Sequence, residues 1–259
     1  MGRPSFLLLH GLTSSKEGWG EVGPILAQRG RVVAMDLPGH GASPAQDFSG
    51  KMSDFAAVVR DVIAQLDLRE LTVVGHSMGG QIAMTLALEP RARLERLVLV
   101  APAGIETFNE AEAAKIRSLQ KPELLRNFSR EILLRVMRTL FFLEPSDLAA
   151  QVEGRLQRMA SSDGEAYALT LSRSVDGMLE GRVYERLPSL RVPVLVLFGE
   201  EDLAIPNRLV HVGTSAEIAA KAQQALPQAQ VILIPRTGHM VPLEAPEALS
   251  REILRFASL

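Results

Sequence analysis

The chain has 259 residues, 47% of them hydrophobic, and its 28 Lys and Arg nearly balance 30 Asp and Glu, for a net charge of −2. This composition is typical of a globular protein with a sizeable core, and it offers no electrostatic reason to bind nucleic acid or an anionic membrane. Cysteine is absent, which excludes disulfides, thiolate nucleophiles and cysteine-based zinc sites. The apolar stretch at residues 6–9 is too short for a signal peptide or a membrane span, so we expect a cytoplasmic protein.

Six short apolar runs predict β-strands. They cover residues 6–9, 31–35, 71–74, 97–100, 193–198 and 231–234. Segments in which apolar residues recur with a helical period separate most of these runs. Alternation of strands and helices predicts an α/β fold with right-handed crossovers and a mostly parallel sheet flanked by helices.

The long interval between the fourth and fifth runs contains no strand-like segment. An apolar stripe with helical spacing extends from Leu124 to Phe141, and further helices are expected over residues 146–159 and 165–179. A helical insertion at this point is expected to cover the carboxyl edge of the sheet, where such sheets bind ligands. We interpret the stripe first as the core of this insertion and, alternatively, as the lining of an acyl pocket.

The insertion divides the predicted chain into two parts. Residues 1–104 and 188–259 form the core, and residues 105–187 form an all-helical cap.

The third run leads directly into the sequence Gly75-His76-Ser77-Met78-Gly79 and then into an apolar helix. A strand that becomes a helix at once must bend sharply at Ser77, and Cβ atoms at positions 75 and 79 would collide with neighbouring backbone. The serine hydroxyl would then stand clear of the sheet, beside the free N–H groups of the helix. The pattern alone also fits a glycine-rich turn with an uninvolved serine.

A catalytic serine needs a base to take its proton and an acid to orient that base. His239 follows the last predicted strand and Asp202 follows the fifth, so both are expected at the same sheet edge as Ser77. The other carboxylates that follow strands are Asp36, Glu200 and Glu201. The chain order serine, aspartate, histidine is the one expected when a parallel α/β sheet carries a hydrolytic triad.

The four other histidines are weaker candidates for the base. His76 directly precedes Ser77, and consecutive strand residues point to opposite faces of a sheet. His10 and His40 lie in glycine-containing turns that we expect them to brace, and no pattern around His211 indicates a role.

Five segments together resemble the α/β-hydrolase family, and in particular its serine esterases and lipases with a helical cap. The segments are LLLHGLTSSKEGW, DLPGHGAS, VVGHSMGG, LFGEED and TGHMVPLEAPE. The resemblance extends over most of the predicted core and implies the fold of that family. It also implies that Ser77 is the nucleophile, His239 the general base and then acid, and Asp202 the orienting carboxylate.

The same resemblance implies an oxyanion hole formed by the backbone N–H groups of Leu12 and Met78, and a structural role for the turn of Asp36. The chain departs from the family in two places. Family members usually begin with two more strands than the nine residues before His10 can supply, so the N-terminal strands look shortened or missing. The segment between Asp202 and His239 is also longer than usual, and we expect residues 208–216 to form an extra loop near the site entrance.

We therefore expect hydrolysis of a small-molecule carboxylic ester of short to medium chain length through an acyl-enzyme, without a cofactor or metal ion. Trp19, Phe128 and Phe141 are the candidate substrate contacts. We expect no nucleic-acid partner and no stable membrane association, and the sequence leaves the oligomeric state open.

Several other activities share the same scaffold and the same catalytic residue types. Carbon–carbon bond hydrolases of the meta-cleavage type are the main alternative, although they generally carry a glycine-rich turn after His-Gly. Thioesterases, acyltransferases and lipases also remain, because a triad does not choose the acceptor. Ser77 argues against haloalkane dehalogenases and epoxide hydrolases, which have aspartate there, and a complete triad argues against a non-catalytic receptor.

Overall fold

The computed structural model describes residues 4–44 and 47–258. Its strands are β1 (Ser5–Leu9), β2 (Arg31–Met35), β3 (Leu71–His76), β4 (Arg96–Val100), β5 (Val194–Gly199) and β6 (Gln230–Ile234). They form one sheet in the order β2-β1-β3-β4-β5-β6, and every neighbouring pair is parallel. All six predicted strands and the predicted parallel α/β fold are confirmed.

The helices outside the long insertion cover both faces of this sheet. They are α1 (Val22–Ala27), α2 (Met52–Gln65), α3 (Met78–Ala87), and, after the insertion, α9 (Ser215–Ala225), α10 (Val241–Glu244) and α11 (Pro246–Phe256). Residues of α2, α3 and α9 pack on one face, and residues of α1, α10 and α11 pack on the other. Since helices cover it on both sides, the central strand β3 is buried at every residue, which explains its continuous apolar sequence.

The parallel register brings the carboxyl ends of the strands to one edge of the sheet. Leu9 pairs with Gly75, His76 pairs with Val100, and Gly199 pairs with Ile234. The segments that follow these strands therefore lie side by side.

Five helices lie between β4 and β5. They are α4 (Glu110–Leu119), α5 (Pro122–Arg126), α6 (Arg130–Arg138), α7 (Leu148–Ala160) and α8 (Gly164–Glu180). They pack mainly on one another, α5 and α7 on α8 and α6 on α7. A short 3-10 helix, Tyr184–Ser189, leads back to the sheet.

The predicted apolar stripe is not one helix. Helix α5 ends at Arg126, and α6 begins at Arg130. The hydroxyl of Ser129 caps α6, because it accepts a hydrogen bond from the N–H of Ile132 at 3.3 Å. The break gives the stripe two orientations: Met137 and Phe141 are buried within the insertion, whereas other members line cavities described below.

Among the helices of residues 4–44 and 47–258, none combines the length and the apolar character that a membrane span requires.

Candidate active site

Ser77 stands at the junction of β3 and α3 with backbone angles φ 53° and ψ −118°. This positive φ is strained for any residue but glycine. Hydrogen bonds hold the turn, because the N–H of Ser77 donates to Val100 O at 3.0 Å and its carbonyl accepts from the N–H of Ala103 at 3.0 Å. Neighbouring backbone therefore stabilises the strained geometry.

The two glycines that flank Ser77 are required sterically. A Cβ on Gly75 would meet the carbonyl oxygen of Gly79, and a Cβ on Gly79 would meet the carbonyl oxygens of Leu9 and His10. These contacts are the collisions that the sequence pattern predicts. They show that α3 starts in direct contact with the end of β1.

His239 and Asp202 form a buried hydrogen-bonded pair at the same edge of the sheet. The Nδ1–H of His239 donates to Oδ2 of Asp202 at 2.8 Å, and the two residues are 6% and 1% exposed. The other oxygen, Oδ1, accepts from the N–H groups of Ala204 at 2.7 Å and Ile205 at 3.0 Å. Since Nδ1 carries the proton in this bond, Nε2 is the ring nitrogen of His239 that can accept one.

The charge state of Asp202 follows from its surroundings. Burial alone would raise the pKa of this carboxyl, but the adjacent His239 and the two backbone N–H groups outweigh burial and hold the pKa below its usual range. The side chain is therefore a carboxylate at neutral pH. The rivals Glu200 and Glu201 are exposed.

The third rival, Asp36, is engaged elsewhere. Its carboxylate accepts hydrogen bonds from the backbone N–H of Lys16 at 2.7 Å and of Ala42 at 3.0 Å, and from the Lys16 ammonium at 3.2 Å. These contacts close the turn after β2. Asp36 is thus a structural residue.

Ser77 and His239 border the same two cavities. Within residues 4–44 and 47–258, Ser77 Oγ is not within hydrogen-bonding distance and geometry of Nε2 of His239 or of any other group. Such bonds are often long in free enzymes and tighten when substrate binds. The side chains of Ser77 and His239 thus border a shared space.

His76 contacts the backbone of the proposed base. Its Nε2–H donates to the carbonyl oxygen of His239 at 2.9 Å. Burial and the nearby His239 lower the pKa of His76 to about 3, so its ring is neutral at physiological pH. The sequence indicated that His76 points away from Ser77, but it carried no sign of this contact across the sheet edge.

The turn after β1 lies against Ser77. A Cβ on Gly11 would lie 3.1 Å from the Cβ of Ser77. His10 braces this turn, since its Nδ1–H donates to Gly11 O at 2.8 Å and its Nε2 accepts from the N–H of Leu37 at 3.0 Å. Burial lowers the pKa of His10, which matches a ring that must stay neutral to make both bonds.

The two predicted oxyanion donors belong to segments next to Ser77. The N–H of Leu12 is in the turn and the N–H of Met78 is the first of α3, and neither donates to an acceptor in the described part of the chain. Leu12 also borders both cavities. Free N–H groups beside a nucleophile are suited to bind a developing negative charge.

Two cavities, of about 1040 Å³ and about 790 Å³, lie between the sheet edge and the inserted helices. The larger one is mostly apolar. Residues common to both are Leu12, Ser77, Gln120, Phe128, Val136, Leu140 and His239. The two spaces thus adjoin on either side of the serine and histidine.

The three predicted substrate contacts have different positions. Phe128 borders both cavities. Trp19 borders neither, because it is 2% exposed and packs edge-on against His76, with ring centroids 6.5 Å apart, in the core on the other face of the sheet. Phe141 also borders neither, since it is buried with Leu133 in the core of the insertion. The assignments of Trp19 and Phe141 are corrected accordingly.

The predicted extra loop lies at the larger cavity, where Arg208 is among the lining residues. Glu106 holds this loop, because its carboxylate accepts from the N–H of Asn207 and from Nδ1 of His211. Burial raises the pKa of Glu106, although the adjacent His211 and the Asn207 N–H partly oppose it. The partners are 105 residues apart in the chain, so the role of His211 had no local signal.

The chain is similar to a known protein family, to a curated relative and to solved structures. The profile of the "Alpha/beta hydrolase family" matches residues 6–252. The chain is 30% identical to the "dihydrolipoyllysine-residue acetyltransferase component of acetoin cleaving system" of Pseudomonas putida, over 98% of this chain but only 64% of the relative's length.

Two solved structures have the same fold. A "probable hydrolytic enzyme" from Pseudomonas aeruginosa PAO1 superposes with a TM-score of 0.85 at 25% identity, covering 98% of this chain and 85% of that one. An esterase from Exiguobacterium antarcticum superposes with a TM-score of 0.81 at 19% identity, covering 100% of this chain and 93% of that one.

Proposed function

The chain belongs to the alpha/beta hydrolase family, and on that premise we propose that it is a serine hydrolase of carboxylic esters. The observation that carries this proposal is the Asp202–His239 pair, joined at 2.8 Å, whose histidine borders the same cavities as the serine of a strained strand–helix turn. This is the arrangement that activates a hydroxyl for attack on an acyl carbon.

In the proposed first step, Ser77 Oγ attacks the ester carbonyl and its proton passes to Nε2 of His239. The carboxylate of Asp202 stabilises the imidazolium that forms. The tetrahedral oxyanion accepts hydrogen bonds from the N–H groups of Leu12 and Met78, each of which contributes about 3 kcal/mol to such a transition state. The intermediate collapses, and the alcohol leaves with the proton from His239.

In the second step, water attacks the acyl-enzyme and gives its proton to His239. A second tetrahedral intermediate collapses, Ser77 Oγ recovers the proton from His239, and the acid departs. His239 thus acts alternately as base and acid. Because His76 is neutral, its ring adds no positive charge beside the imidazolium in either step.

The cavities support a substrate of short to medium acyl chain. Both lie within or near the range of about 300–1,000 Å³ that small-molecule sites occupy. Their junction at Ser77 suits an ester, in which acyl and alcohol parts extend to opposite sides of the carbonyl carbon. Phe128, which borders both, is the proposed contact to either part.

Hydrolysis of p-nitrophenyl esters of increasing acyl length tests the proposal. We expect a burst of p-nitrophenol, labelling of Ser77 by a phosphonate, and a loss of about 10⁶-fold in kcat for Ser77→Ala. Ser189→Ala, at an exposed serine, is the matched control and should retain activity. Turnover by Ser77→Ala at the wild-type rate would refute the assignment of the nucleophile. Labelling of Ser77 without turnover of any ester would favour cleavage of another bond, such as the carbon–carbon bond of a meta-cleavage product.

A further inference from the structure

Two polar side chains reach the smaller cavity from neighbouring helices. They are Arg155 of α7 and Tyr167 of α8. Tyr167 is buried, with 6% exposure, and Arg155 is half-buried. Ser77 and His239 border the same space, so these side chains share a cavity with the reacting groups.

The guanidinium of Arg155 differs from most others in the inserted helices. Carboxylates lie within 4 Å of Arg117, Arg126, Arg130, Arg138 and Arg158. Within residues 4–44 and 47–258, Arg155 has no such partner and donates no hydrogen bond. Arg135 also lacks one, but it is exposed to solvent.

Arg155 is half-buried and borders the smaller cavity. Burial lowers the pKa of its guanidinium. A partly desolvated cation without a counter-charge is unfavourable for a folded protein. Such a group is commonly retained because a ligand supplies the missing charge.

Tyr167 adds a second donor. Its hydroxyl makes no hydrogen bond to another group of the described chain, and burial raises its pKa, so it stays protonated. Arg158 lies over its ring at 5.1 Å but pairs with Asp163 at 2.7 Å. The phenol therefore remains available to donate into the cavity.

The acidic groups near this cavity do not neutralise Arg155. Glu123 is the acidic residue among the described lining residues, and it is not within 4 Å of the guanidinium. Arg126 also borders the cavity, but Glu165 lies 3.8 Å from it. The polar end of the smaller cavity thus presents donors and an uncompensated positive charge.

We propose that the smaller cavity binds a carboxylate of the substrate, with Arg155 as its ion-pair partner and Tyr167 as a further hydrogen-bond donor. The substrate class is then an ester that carries a free carboxylate, such as a half-ester of a dicarboxylic acid. A planar guanidinium matches a carboxylate with two parallel hydrogen bonds. This inference rests on the ester hydrolysis proposed for Ser77, and it assigns specificity rather than chemistry to Arg155.

Two pairs of esters of similar size, each with one charged and one neutral member, test it. On the acyl side, p-nitrophenyl hemiglutarate is compared with p-nitrophenyl valerate, and on the alcohol side, 4-acetoxybenzoate with its methyl ester. We expect the charged ester of at least one pair to have the higher kcat/KM. In Arg155→Met, the ratio of kcat/KM for the charged ester to kcat/KM for the neutral ester of that pair should fall about 30- to 100-fold, mainly through KM. Arg155→Lys should restore part of this ratio.

Arg130→Met is the matched control, since Arg130 is exposed and pairs with Glu153, and it should leave the ratio unchanged. Thermal unfolding separates binding from folding, because removal of an unpaired buried charge should not lower the stability of Arg155→Met. A wild-type enzyme with no preference in either pair, or a ratio unaltered in Arg155→Met, would overturn the proposal.

A binding measurement keeps this inference distinct from the proposed function. Titration calorimetry with glutarate and with benzoate requires no turnover. We expect one of them to bind the wild-type protein and to bind Arg155→Met at least tenfold more weakly. Carboxylate binding that depends on Arg155 would support the site even if Ser77 were unreactive, and absence of binding by both probes would count against it.

Discussion

The Nε2–H of His76 donates to the carbonyl oxygen of His239 at 2.9 Å, although the two residues are 163 positions apart. The residue before the proposed nucleophile thus holds the backbone of the proposed base. Trp19 packs edge-on against the same imidazole from behind. The hydrophobic core on the far face of the sheet therefore supports the site indirectly.

We predict that His76→Phe lowers kcat by about 10- to 100-fold while KM changes little, because a small displacement of His239 weakens proton transfer more than substrate binding. Steady-state kinetics on a p-nitrophenyl ester measures both constants, and circular dichroism checks folding. His76 acts here as a positioning residue. A folded variant with wild-type kcat would contradict this role.

Gly79→Ala should destabilise the protein by about 3 kcal/mol or more, because the new Cβ meets the carbonyl oxygens of Leu9 and His10 and the backbone must move. Gly154→Ala is the matched control. A Cβ at Gly154 of α7 meets no atom within 4 Å, so alanine should stabilise by about 0.5–1 kcal/mol. Urea denaturation measures both changes, and equal stabilities for the two variants would be incompatible with the contact.

Stability should fall as the pH drops below 6.5, because His10, His40 and His76 are buried as neutral rings. Burial lowers the pKa of His40 to about 4 and that of His76 to about 3, from an ordinary value of 6.5. Between these values and 6.5 the unfolded chain binds a proton that the folded chain does not. Each histidine therefore removes about 1.4 kcal/mol from the free energy of unfolding per pH unit.

Chemical denaturation at pH 7, 6 and 5 measures how the free energy of unfolding changes with pH. The variant His40→Phe removes the contribution of His40 to that slope. The carboxyls of Glu106 and Glu244 have raised pKa values and oppose the trend at the lower end. Since they are present in both proteins, the difference in slope reports His40 alone. Identical slopes would mean that His40 takes up a proton in the folded state.

Glu106→Gln should loosen the loop that borders the larger cavity, since it weakens the hydrogen bond between this side chain and Nδ1 of His211. We expect faster tryptic cleavage after Arg208 and a larger loss of kcat/KM for long acyl esters than for acetate. Glu110→Gln is the control, because Glu110 pairs with Arg182 at an exposed site. Cleavage at the same rate in both variants would argue against this attachment.

The sequence by itself determined the sheet and the strand–helix turn, because both depend on local chemistry. Continuous apolar runs of four to six residues suit strands that helices cover on both faces. The glycines at 75 and 79 follow from steric contacts within a few residues of Ser77 and at the end of β1. Ser77, Asp202 and His239 each follow a predicted strand, and the ends of parallel strands lie at the same edge of a sheet. Their positions in the sequence therefore predicted that they lie close together.

Only the tertiary structure decided which side chains reach the cavities. Trp19 and Phe141 have the apolar character of substrate contacts, yet one packs behind the sheet and the other within the inserted helices. Conversely, Arg155, Tyr167 and the Glu106–His211 pair carry no local pattern that indicates a site. The direction in which a side chain points depends on how helices pack, and that packing joins residues too far apart in the chain for spacing or periodicity to relate them.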